Sequence, residues 1–73
     1  MIFEQIRDII AEKIDVAPEL VLPDSSFENM KVGSLYMVEI MLEVEDKFDI
    51  IIDDAEGLET VADLVAYVQK QLA

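Results

Sequence analysis

Seventy-three residues suffice for one small domain, spanning 1–73, and are too few for two. Seventeen acidic against five basic residues give a formal net charge of −12, which disfavours nucleic acid as a partner and steers basic protein surfaces toward the chain. Neither Cys nor His is present, which excludes disulfides, Cys/His metal centres and a ready general base at neutral pH, so the chain is not expected to be an enzyme.

Ile2, Phe3, Ile6, Ile9, Ile10 and Ile14 recur at spacings of three and four, which predicts an amphipathic first helix from Ile2 to Ile14. A long connection follows, from Asp15 to Gly33, and Pro18 and Pro23 bar a continuous helix through it. Its apolar Val16, Leu20, Val21, Leu22 and Phe27 should tether it to the core, with a turn of helix near Pro18 to Val21. Asp24-Ser25-Ser26 is turn chemistry, because short polar side chains bond nearby backbone amides.

A second helix is expected from Leu35 to Phe48. At 100° per residue from Leu35, the residues Ile40, Val44, Met37, Phe48, Met41, Val38 and Leu42 cover an arc from about 140° to 340°. Glu39, Glu43, Asp46 and Lys47 form a narrow polar ridge beside it, on which Tyr36 also falls. That pattern predicts a mostly buried helix. Asp49-Ile50-Ile51-Ile52-Asp53 has strand propensity but no second strand to pair with, so an extended loop is expected. One short helical turn can follow between Asp53 and Leu58, ended by Gly57. Thr60-Val61-Ala62-Asp63 reads as a capping box with Asp in place of Glu, and Val61, Leu64, Val65, Val68 and Leu72 form the inward stripe of a last helix. The fold class is therefore all-α: a small antiparallel bundle of three to four helices with a long first loop. Charges interrupt every apolar stretch well short of the roughly 18 residues a membrane span needs, so a soluble cytoplasmic monomer is expected.

Ser34 stands where the irregular run Lys31-Val32-Gly33 gives way to the second helix. Beyond it, Glu39 to Asp63 holds ten Asp or Glu and one Lys, a net −9 of the −12. A hydroxyl at a helix N-terminus suits a covalently held phosphodiester, because amides of the first turn and the helix dipole both favour negative charge there. A plain N-cap or first-turn serine is the simpler local alternative. Asp53, Asp54 and Glu56 lack the spacing of a calcium loop and offer weak charge relief at most.

Together these features resemble the acyl carrier protein family over nearly the whole chain. Gly33-Ser34-Leu35 matches the family's Asp-Ser-Leu without the aspartate. Phe27 before the serine, Val38-Glu39 one turn after it, Phe48-Asp49 and Thr60-Val61 also fit. The resemblance implies that Ser34 receives 4′-phosphopantetheine from coenzyme A through a separate phosphopantetheinyl transferase, which supplies the base and the metal ion. The thiol of that arm would carry acyl or aminoacyl groups as thioesters in fatty-acid, polyketide or related lipid and secondary-metabolite biosynthesis. Leu35, Tyr36, Glu39, Glu43, Glu45 and Asp46 would dock loading, condensing and transferring enzymes with basic surfaces, and Val38, Met41, Leu42 and Leu64 would shelter the acyl chain. Gly33 and Tyr36 depart from the family pattern and point to a specialised member rather than a housekeeping one. The alternative is an acidic helical interaction module with no prosthetic group.

Overall fold

A computed structural model describes residues 2–53 and 57–73. The first helix, α1, spans Ile2–Ile14, and its Ile6, Ile9, Ile10 and Ala11 are buried, as the three-and-four spacing requires. Asp15 then takes a left-handed conformation at φ 58°, and the Val16 amide donates back to the Ala11 carbonyl at 3.0 Å. That six-to-one bond is the helix-ending motif usually built on glycine.

The connection that follows is pinned rather than free. Pro18–Leu20 make one 3-10 turn. Val21 and Phe27 are buried, whereas Leu20, Leu22 and Val16 are exposed, so two of the five expected tethers act within the core. Both turn serines bond amides as expected: Ser25 Oγ accepts from Leu22 and Ser26 Oγ from Asn29, each at 2.9 Å. The loop also finishes the start of the last helix. The Val61 and Ala62 amides donate to the Ser25 and Pro23 carbonyls at 3.0 and 2.8 Å, and the Phe27 amide donates to Glu59 at 2.9 Å. A helix leaves its first amides without internal partners, and the loop satisfies two of them here.

The second helix, α2, spans Ser34–Phe48, one residue earlier than the apolar pattern indicated, and the third, α3, spans Val61–Leu72. Thr60 caps α3 in a full capping box: the Asp63 amide donates to Thr60 Oγ1 at 3.2 Å, and Asp63 Oδ2 accepts from the Thr60 amide at 3.1 Å. Among the described residues no strand forms beyond an isolated bridge between Ser26 and Thr60, and 50–53 is irregular as expected. The short turn proposed between Asp53 and Leu58 lies largely outside the described residues.

α1 packs against both α2 and α3, and the core lies among Ile6, Ile10, Ile40, Val44, Val61, Leu64 and Val68, all fully buried. One expectation for α2 needs correction. It is not mostly buried: Ile40, Met41 and Val44 are covered, but Leu35, Val38 and Leu42 are 72%, 55% and 58% exposed. The apolar arc read from the sequence is wider than the face α1 can cover, and its outer part meets solvent.

Candidate functional site at the start of α2

Ser34 is the first residue of α2 and is exposed. Its N-cap, Gly33, has extended backbone (φ −71°, ψ 167°) and offers no side-chain cap, and no acidic residue stands in the first turn. The positive end of the helix dipole is therefore left uncompensated beside the serine. The chain's other aliphatic hydroxyls are committed: Ser25 and Ser26 in the turn, Thr60 in the capping box. Among the described residues the Ser34 hydroxyl has no partner. A phosphodiester fits this place, since its oxygens would meet first-turn amides without displacing an existing anion. When bound, a 4′-phosphopantetheine arm would supply the thiol that the chain itself lacks.

One turn along α2 from Ser34 begins an apolar groove of about 290 Å³. Met37, Val38, Met41 and Leu42 line it on the helix, Ile52 and Asp53 face them, and Glu45 is the last helical residue along it. Three of the four residues expected to shelter an acyl chain meet here. Leu64 does not: it is fully buried in the core and lines none of the groove. The facing wall is Ile52 and Asp53, at the end of the irregular 50–53 segment. A larger cleft of about 450 Å³ between α1 and α2 is lined by Asp8, Glu12, Glu43, Asp46 and Lys47, among others, and begins about 13 Å along α2 from Ser34.

The residues expected from the sequence to dock partners divide into three kinds. Leu35 and Tyr36 are exposed beside Ser34, and Asp46 is exposed with no partner among the described residues. Glu39 and Glu43 are bridged to Lys13 of α1, whose Nζ lies 3.6 Å from Glu39 and 3.4 Å from Glu43. Partial desolvation lowers the Lys13 pKa, but the Glu43 and Glu39 carboxylates outweigh it and hold the ammonium above its ordinary value. Glu45 turns toward the groove, where its Oε2 accepts from the Ile52 amide at 2.7 Å. Sequence periodicity did not find Lys13 or the inward role of Glu45, because both depend on contacts between elements.

No group of three or more His, Cys, Asp or Glu among the described residues could hold a metal ion, and of the weak cation candidates Asp54 and Glu56 lie outside those residues. Among the described residues no helix is long and apolar enough to cross a membrane. The family model for the phosphopantetheine attachment site matches residues 4–68. The chain is 40% identical over 70 residues to an acyl carrier protein of Streptococcus pyogenes serotype M3, covering 96% of this chain and 95% of that protein. The acyl carrier protein of Streptococcus thermophilus matches to the same extent. That of Lactococcus lactis subsp. cremoris is 38% identical over 68 residues, 93% of each chain.

Proposed function

Because the chain belongs to the acyl carrier protein family, we propose that Ser34 is where its 4′-phosphopantetheine arm is attached and that acyl or aminoacyl groups travel on that arm as thioesters. The family brings a carrier role in fatty-acid or related biosynthesis, with a covalent prosthetic group and no catalysis of its own. The observation that carries Ser34 is its hydroxyl, exposed and without a partner among the described residues at a bare helix N-terminus, while the other aliphatic hydroxyls hold structural bonds. Ser34 Oγ attacks the pantetheine-side phosphorus of coenzyme A, the diphosphate P–O bond breaks and adenosine 3′,5′-bisphosphate leaves. The hydroxyl proton goes to a base on the transferase, since the chain has no His to accept it.

Docking of the transferase and of the acyl-handling enzymes is proposed on the exposed face of α2. Leu35 and Tyr36 supply apolar contact and Asp46 an open charge. Glu39 and Glu43 join once a partner's cation replaces Lys13, a setting in which charge governs encounter rate and orientation more than affinity. Val38, Met41 and Leu42 are proposed to cover the first part of the acyl chain. The carrier is proposed to act as a monomer in the cytoplasm, among the enzymes that load and unload it. Uptake of labelled phosphopantetheine by wild type and by Ser34→Ala tests the assignment. Label in wild type alone is expected, and label retained in Ser34→Ala contradicts it.

A further inference from the structure

We propose that Glu45 is a specificity-determining latch, holding the 50–53 segment as the far wall of the groove and so limiting the length of acyl chain sheltered there, a role that rests on the carrier function proposed above. The segment has no regular structure, so its amides need individual partners. Glu45 supplies two of them: its carbonyl accepts from Ile50 at 3.1 Å and its carboxylate from Ile52 at 2.7 Å. Tyr67 OH accepts from the next amide, Asp53, at 3.2 Å and ties the same segment to α3. The Ile52 bond has the short distance of a charge-assisted hydrogen bond, among the stronger kinds.

The latch sits where it bears on cargo. Ile52 and Glu45 both line the groove whose helical wall is Val38, Met41 and Leu42. A chain held along those three residues runs toward Glu45. A short apolar tail ends before it. A longer one must lie against an ionised carboxylate, or push it off the Ile52 amide and leave both groups unsatisfied, and either is costly. Glu45 thus sets a boundary for chain length as well as a wall.

Three variants test this. Glu45→Gln keeps a carbonyl that accepts from Ile52. Glu45→Ala removes the acceptor, and Glu45→Leu removes it while retaining bulk and helix propensity. Amide hydrogen exchange is read first, on the unmodified proteins. Ile52 should exchange roughly tenfold faster in the Ala and Leu variants, the factor expected for a lost hydrogen bond to a charged group, and near the wild-type rate in Gln. Each protein is then loaded with acetyl, hexanoyl or dodecanoyl phosphopantetheine, and thioester cleavage by hydroxylamine is timed. Wild type and Gln should protect hexanoyl best, whereas Ala and Leu should protect dodecanoyl several-fold better than wild type does. Unchanged Ile52 exchange, or one chain-length profile shared by all four proteins, overturns the latch. Failure of wild type to accept any arm overturns the carrier function and the cargo role with it.

Discussion

Gly33 and Lys13 both border α2, one as its N-cap and one against its acidic ridge. Gly33 has ordinary extended backbone, and a Cβ added there meets nothing within 4 Å. Glycine is therefore not required for shape. Gly33→Asp should raise stability by about 0.3–1 kcal/mol, since a carboxylate at the N-cap complements the dipole of α2, and thermal melts would show it. An unchanged or lower midpoint would mean that the end of α2 does not behave as an open anion site. Lys13 acts from the other direction, occupying Glu39 and Glu43 before any partner arrives. Removing it in Lys13→Ala should speed association with a basic transferase at low salt, with the gain fading as salt is added. Stopped-flow association rates that match wild type at every ionic strength would exclude both carboxylates from docking.

Among the elements, α3 depends most visibly on a local device. The Asp63 carboxylate accepts from the amides of Thr60 and Glu59, each at 3.1 Å. The Thr60 amide first, then that of Glu59, holds its pKa below the ordinary 3.8, against a smaller opposing effect of desolvation. A depressed folded-state pKa contributes stability that is complete above the unfolded value and disappears as pH falls through the folded one. The stability gap between wild type and Asp63→Ala should therefore be full near neutral pH and close as pH drops below about 3.8. A gap that stays constant through that range would show that the box is not maintained by the ionised carboxylate. This capping box was legible in the sequence because its partners lie three residues apart, and α1 was legible because its isoleucines repeat with the helix period. α2 was legible only in part. Apolarity at Leu35, Val38 and Leu42 marks them as able to be buried, but whether they are depends on how much of α2 a single neighbouring helix can cover. Glu45 was read as a docking carboxylate for a related reason: its partner, the Ile52 amide, lies seven residues on, in a segment with no period to follow.

For the molecule as a whole, charge and attachment are the two properties to test. Folding concentrates a net charge of −12 on a small surface, and the ion pairs of Arg7 with Asp8 and of Lys13 with Glu39 and Glu43 offset little of it. Self-repulsion opposes the compact state, so added salt or millimolar magnesium should raise the melting temperature. Indifference to ionic strength would remove clustered charge as a factor in stability. A carrier of this family meets a phosphopantetheinyl transferase and biosynthetic enzymes in turn, and what they are proposed to find on it is one arm, at the start of α2. Fragment mass spectrometry after incubation with coenzyme A and a broad-specificity phosphopantetheinyl transferase locates that arm directly. The predicted result is one phosphopantetheinyl group per chain, on Ser34. An unmodified chain with several transferases, or a group found on any other residue, would contradict it.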